Sequence, residues 1–475
     1  MPSLPYKWKA LLTVAMGTMM ATMDASITTI AFPELTRVFQ TDLPTVMWVM
    51  VGYILVSSSL MLVVGKLSDS VGRSRIYTTG IAVFTLGLIA CGLAQSIAQL
   101  VLFRLVQAIG AAMCVSCGTA IVTEAFPAGE TGRGLGLLSI SVSLGFILGP
   151  FVGGILLEWL DWRALFYVRI PVGLCTLIMA IVLLKKDTIQ PGRIRLDILG
   201  TVISSAAIFC LVFGMGLVKT RGPAAPVVLF FIGSGIILLI AFIWVERRAV
   251  NPIVDLTLFK NKTLSYAMAG LFLFFLAGPA YILLMPFYLL EALRLSPLES
   301  GMLLAVVSAS TLIASPVSGA VSDRIGRRWP SSFGAAAAAA AFFCMLGFDL
   351  ETPPWAIIPI LVLLGLGIGA FQPPNNSTIM NAAGTDHLGS ASALIATERQ
   401  VGISLGMALA SAIFSARQEI YQDLLQLQDM DAAHVLRASI PPAFRDALLV
   451  AFFLSLGVLA SALFSPRLEH AAEPR

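Results

Sequence analysis

Apolar runs of about 20 residues follow one another along the chain, separated by short charged or Pro- and Gly-containing segments, and that pattern leaves few folds open. A helix rises about 1.5 Å per residue, so it crosses a ~30 Å hydrocarbon core in about 20 residues. Hydrophobic residues make up 58% of the 475 and charged residues only 12%, against ~25% charged in soluble domains. A water-soluble fold of this length could not cover so much apolar surface. The runs are too long for transmembrane strands and lack strict alternation, which argues against a barrel. The expected fold class is an all-α polytopic membrane protein.

Fourteen spans are predicted, near 10–32, 46–66, 76–95, 99–123, 135–157, 164–184, 197–218, 226–245, 264–289, 300–320, 332–349, 355–380, 389–415 and 442–464. The first follows Lys7 and Lys9, as a signal peptide would. It is too long for one, holds Asp24 and ends without a clear cleavage site, so it is read as helix 1. Only the segment 416–441 is long and polar, and it is expected to be an external loop with room for a short surface helix. Lys and Arg set the orientation. With odd-numbered spans running outward, 19 of these residues fall inside and eight outside, which places both termini in the cytoplasm.

The chain repeats itself. Gly65-Lys-Leu-Ser-Asp69-Ser-Val-Gly72-Arg73-Ser-Arg75 recurs as Gly319-Ala-Val-Ser-Asp323-Arg-Ile-Gly326-Arg327-Arg328-Trp329, with five of eleven positions identical at an offset of 254. Gly145-xxx-Gly149 and Gly402-xxx-Gly406 are related by an offset of 257. The expected organisation is a six-helix half over 1–190, two inserted helices over 191–255 and a second six-helix half over 256–475. Parallel repeats of this kind are one transporter architecture.

Asp24 is the only charge between Leu11 and Phe32. A charge at mid-membrane costs about 2.5–3.5 kcal/mol on insertion scales. A carboxylate there suits a proton or an organic cation, either of which neutralises it; a structural ion pair or a water-facing helix end is the alternative. Counting rise along the two helices puts Arg104 at roughly the depth of Asp24. An Arg there would oppose protonation of Asp24, and losing it would favour protonation, a physical means of coupling. Met16, Met20 and Asp24 share a stripe at i, i+4 and i+8, flanked by Met19 and Met23. Either these thioethers form a soft cavity wall or they face lipid. Gly145, Gly149 and Gly153 form a small-residue face beside Pro150 and Gly154, for close packing or for movement. The loops of Asp69 with Arg73 and of Asp323 with Arg327 can gate by pairing with neighbouring helices, or can serve only as topology signals. Glu398 and Arg399 lie within the thirteenth span, and as neighbours on a helix they need different partners.

Other classes find little support. A net charge of +4 is weak ground for a nucleic-acid partner, and the six cysteines all sit in apolar runs, against a disulfide framework. Cys114 and Cys117 have CxxC spacing without further ligands, so packing explains them. No GxxxxGK[ST] loop is present, so ATP does not power the chain directly. His387, His434 and His470 lie in loops or the tail, which leaves carboxylates as proton carriers.

The loop Gly65–Arg75 resembles the cytoplasmic signature of the major facilitator superfamily. Met23-Asp24-Ala-Ser-Ile-Thr-Thr-Ile-Ala-Phe-Pro33 resembles the first-helix motif of its fourteen-span drug:proton antiporters. Arg104-Leu-Val-Gln107-Ala-Ile-Gly110 is similar to the span-4 motif linked there to proton transfer, and Gly145–Gly154 to the antiporter motif. Trp162–Phe166 and Pro171–Gly173 resemble its span 5–6 junction. The resemblance implies proton-driven export of amphipathic compounds, with Asp24, Arg104 and Gln107 as coupling residues. Two positions depart from it. Arg169 replaces the usual Asn and adds a positive charge near the outer mouth, and Glu398 stands where a neutral residue is expected.

The reading is a non-enzymatic secondary transporter in a cell membrane such as a bacterial inner membrane. It is expected to be monomeric and cofactor-free, and to exchange protons for a lipophilic solute: a cation by the Met-rich wall around Asp24, or an uncharged or zwitterionic compound by the charge count, since Arg104 and Arg399 offset Asp24 and Glu398. A dedicated metabolite, lipid or peptide exporter on the same fold is the runner-up. A non-transporting sensor or scaffold is the third reading.

Overall fold

The computed structural model describes residues 5–127, 131–185, 198–222, 225–248, 259–383, 388–426 and 431–465. Among them there is no strand. The first half runs through α1 (Tyr6–Ile30), α2 (Phe32–Val38), α3 (Leu43–Val46), α4 (Trp48–Val71), α5 (Arg73–Gly92), α6 (Ile97–Ala125), α7 (Thr131–Trp159), α8 (Ala164–Tyr167) and α9 (Ile170–Leu183). Then come α10 (Ile198–Arg221) and α11 (Pro226–Glu246). The remainder is α12 (Lys262–Phe287), a π turn at Tyr288–Ala292, α13 (Pro297–Ile325), α14 (Arg328–Met345), α15 (Pro354–Ala383), α16 (Leu388–Gln426) and α17 (Ala432–Phe464).

Eleven stretches among the described residues are long and apolar enough to cross a membrane. Helices also stand at the other three expected positions, but α10, α14 and α16 fall short of that length or hydropathy. The apolar part of α10 is short, Val202–Met215. In α14, Arg328, Pro330, Ser331 and Ser332 offset the run of alanines, and α16 carries Glu398, Arg399 and a polar C-terminal third. Length and composition therefore do not establish the number fourteen.

The expected loop at 416–441 is corrected. α16 continues unbroken to Gln426 and α17 begins at Ala432. The sequence Ser-Ala-Arg-Gln-Glu-Ile-Tyr-Gln-Asp-Leu-Leu-Gln contains no helix breaker, and good helix formers carry the rod onward although the polarity of the segment suggests a loop.

Packing divides the chain into two compact units, Met1–Ala241 with Met285–Ser308, and Phe242–Leu284 with Ala309–Arg475. Within each, the repeat recurs as matching glycine contacts. In the first, a Cβ on Gly80 would come within 2.6 Å of Met113 Cβ and 3.0 Å of the Gly110 carbonyl, so α5 lies directly on α6. In the second, Gly334 and Gly367 meet in the same way, and a Cβ on Gly367 would stand 2.6 Å from Ala338 N. Likewise α7 presents Gly145 and Gly149 to α1, while α16 presents Gly402 and Gly406 to α12.

Both repeat loops turn on a glycine in the left-handed region, Gly72 at φ 110° and Gly326 at φ 87°. A Cβ on Gly326 would meet nothing within 4 Å, so only the backbone resists it. Gly326→Ala is expected to destabilise by about 1–2 kcal/mol. Gly233→Ala, equally open but mid-helix, should instead stabilise by about 0.5–1 kcal/mol. Thermal unfolding in detergent tests the pair, and shifts of the same sign would refute the backbone explanation.

Candidate functional site

The first unit holds a fully enclosed polar cluster. Asp24 on α1, with Arg104 and Gln107 on α6, are each 0% exposed, and Arg169, between α8 and α9, is 1% exposed. Apolar side chains at Met20, Ile27 and Ile30 carry this part of α1 into the interior. The spacing of Arg104 and Gln107 puts both on one face of α6.

Every polar atom of Asp24 is engaged. Arg104 Nη1 donates to Asp24 Oδ2 at 2.6 Å. Gln107 Nε2 donates to Asp24 Oδ1 at 3.2 Å, and Arg169 Nη1 donates to the same oxygen. The arginines are anchored in turn. Arg104 Nε donates to the Val49 carbonyl at 3.1 Å, and its Nη1 also reaches Gln107 Oε1 at 2.8 Å. Arg169 Nε donates to the Leu165 carbonyl at 2.9 Å. The Arg104 guanidinium lies 4.3 Å from the Tyr53 ring centre and that of Arg169 lies 5.4 Å from Phe166. Cys91 Sγ contacts Gln107 Oε1 at 3.7 Å. One carboxylate thus ties α1 to α6 and to the α8–α9 junction. Removing one partner of a buried pair costs about 3–5 kcal/mol, because a bare charge is left behind.

Asp24 and Arg104, put at roughly one depth by counting along their helices, meet, and Gln107 from the motif around Arg104 joins them. Arg169, expected only as an added positive charge near the outer mouth, is buried and bonded to Asp24. Val168 and Arg169 keep helical backbone angles between α8 and α9, so which way Arg169 points follows from how the helices pack and not from residue counting. Tyr53 and Cys91 were also missed, being apolar in context and without motif. The signal that could have found Arg169 was its in-span charge, close in depth to Asp24.

Met20 is buried with Asp24, while Met16 and Met23 are half-buried. The antiporter-like glycines split between two neighbours. Gly145, Gly149 and Gly153 face α1, where a Cβ on Gly149 would overlap Ser26 Oγ. Ser26 itself donates to the Gly145 carbonyl at 3.2 Å. Pro150 and Gly154 instead meet the start of α13, with Gly154 Cα 3.1 Å from a Cβ built on Gly301. In the loop motifs, Arg73 pairs with Glu124 at 3.3 Å on the surface, and Arg327 is half-buried. The side chains of Gly65, Asp69 and Asp323 lie outside the described residues. Glu398 and Arg399 belong to the second unit and take no part in the cluster. Glu398 is half-buried with Oε2 unpartnered among the described residues, and Arg399 is exposed. No three His, Cys, Asp or Glu side chains among the described residues could hold a metal ion.

Comparison with known proteins agrees with this architecture. The Major Facilitator Superfamily profile matches residues 14–407. The chain is 32% identical over 415 residues to the riboflavin transporter RibZ of Clostridioides difficile (strain 630), covering 86% of this chain and 88% of that protein. It is 30% identical over 413 residues to the tetracenomycin C resistance and export protein of Streptomyces glaucescens, covering 86% and 76%. In fold it is similar to a bacterial homologue of the human lysosomal transporter Spinster, at a TM-score of 0.70 with 14% identity, over 97% of this chain and 98% of that one. A profile match across most of the chain, two relatives at such identity and a shared helical fold together place this protein in the Major Facilitator Superfamily, as a multi-pass membrane transporter.

Proposed function

We propose that this transporter exports small lipophilic organic molecules in exchange for protons, with the Asp24 cluster as its coupling centre. The observation that carries this is one buried carboxylate whose two oxygens hold side chains from two other helical elements. Protonating Asp24 removes the charge that both guanidiniums bind, so α1, α6 and the α8–α9 junction lose their shared tie. Release of the proton restores it. A site whose charge state decides whether three elements are joined can bias a conformational equilibrium. A pH difference of one unit supplies about 1.4 kcal/mol per proton, within the usual ~1–3 kcal/mol of coupling between sites. On this reading α10, α14 and α16 also cross the membrane, giving fourteen spans with both termini cytoplasmic, and the transporter works as a monomer in the cell membrane.

The name of the Streptomyces relative, a resistance and export protein, supports export of foreign compounds. A second reading, a carrier for one metabolite, is favoured by the riboflavin transporter at 32% identity. Reconstitution into proteoliposomes tests the proposal. An imposed pH gradient is expected to accelerate flux of an aromatic solute severalfold, and a protonophore to cancel the gain. Flux indifferent to the gradient would exclude proton exchange. A panel of dyes run against riboflavin then separates the broad from the dedicated reading.

A further inference from the structure

The Asp24 cluster contains more cation than anion. Arg104 and Arg169 share one carboxylate, which leaves the three side chains at a sum of +1. Each guanidinium also keeps a buried Nη2 with no acceptor among the described residues. Desolvated donors and an uncompensated charge are both unfavourable, and only an acceptor or an anion relieves them. A cation would worsen both. It finds no free oxygen on Asp24, because Arg104, Gln107 and Arg169 take both. The two rings in contact with the cluster each already carry a guanidinium, Arg104 over Tyr53 and Arg169 over Phe166. Without Arg169, the charges of Asp24 and Arg104 would cancel and Oδ1 would lose one of its two donors. Arg169 is held rigidly in this role by its Nε bond to the Leu165 carbonyl at 2.9 Å.

We propose that Arg169 sets the charge selectivity of this transporter: it closes the Asp24 centre to organic cations and turns it toward uncharged or anionic solutes whose acceptor oxygens take the Nη2 donors of Arg104 and Arg169. This rests on the coupling centre proposed above lying on the solute path, and it reverses the expectation of a cationic substrate drawn from the Met-rich stripe. The selectivity is by repulsion as much as by attraction, as in other sites that discriminate by charge.

Two xanthene dyes of matched shape and opposite charge test it, fluorescein and a cationic rhodamine ester. Equilibrium binding to purified protein in nanodiscs is read by fluorescence anisotropy. Wild-type protein should bind fluorescein at least about tenfold more tightly than the rhodamine. Arg169→Gln should cancel or invert that ratio, and Arg169→Lys, which keeps the charge, should retain most of it. Monodispersity and thermal unfolding of each variant confirm folding. Should Arg169→Gln fail to fold, the wild-type ratio and Arg169→Lys still decide. A wild-type preference for rhodamine, or a ratio unmoved in folded Arg169→Gln, would overturn the proposal, as would binding of neither dye by wild type. Binding measured at one fixed pH needs no imposed gradient, so the ratio is read separately from gradient-driven flux. If the gradient experiment fails while the ratio responds to Arg169, the coupling reading alone falls.

Discussion

Asp24→Asn is expected to abolish transport driven by a pH gradient. Asn cannot ionise, so no proton is loaded or released there. It also leaves two buried guanidiniums facing a neutral amide, in a cluster where both bonded to a carboxylate. The variant should therefore lose stability as well, by about 3–5 kcal/mol, the usual cost of stripping one partner from a buried ionic cluster. Loss of flux alone would then be ambiguous. The double variant Asp24→Asn with Arg169→Gln removes one charge of each sign and should recover much of the stability, since the two sites are directly bonded and their effects cannot add. It should still show no gradient-driven flux. Proteoliposome uptake beside thermal unfolding separates the two effects, and wild-type flux in the folded double variant would remove Asp24 from the coupling mechanism.

Gly149→Leu should block transport for a different reason. At Gly149 a Cβ would already overlap Ser26 Oγ and stand 3.0 Å from Ile27 N. Ser26 follows Asp24 by two residues on the same helix. Three further carbons cannot enter without pushing α1 away from α7, at about 1–3 kcal/mol of overpacking. Displacing α1 also shifts Asp24 relative to Arg104, whose bond is only 2.6 Å long. Transport should fall by more than tenfold, a loss of about 1.4 kcal/mol or more, while expression falls less. Gly149→Ala should be intermediate. Gly233→Leu is the control, because a Cβ there meets nothing within 4 Å. Normal flux in Gly149→Leu would show that α1 and α7 do not need this close approach during the cycle.

Much of this was legible in the sequence, because membrane helices obey simple lengths. Run length located the helices, and rise per residue put Asp24 and Arg104 at one depth, which their hydrogen bond bears out. The glycine face of α7 followed from spacing, though not its division between α1 and the start of α13, which depends on crossing geometry. Arg169 escaped because the face it presents depends on how α8 and α9 pack against α1, which spacing along one helix does not give. The helical course of 416–426 escaped because polarity reports solvent exposure and says little about backbone conformation. The charge count was the most consequential miss: it set Arg104 and Arg399 against Asp24 and Glu398 and came out neutral, whereas Asp24 sits with Arg104 and Arg169, apart from Glu398 and Arg399.

The extension of α16 has a mechanical consequence. Its 39 residues make a rod of about 58 Å at ~1.5 Å per residue, nearly twice the ~30 Å thickness of the hydrocarbon core. Its far end is lashed to α17, where Asp446 accepts from Tyr421 and pairs with Arg417, each at 3.1 Å. A rod of that length behaves as a tiller: a slight tilt of the buried portion becomes a wide sweep at the tip, and the lashing obliges α17 to follow. A spectroscopic label near residue 421 would therefore read out small rocking of the buried portion of α16 at several times its amplitude.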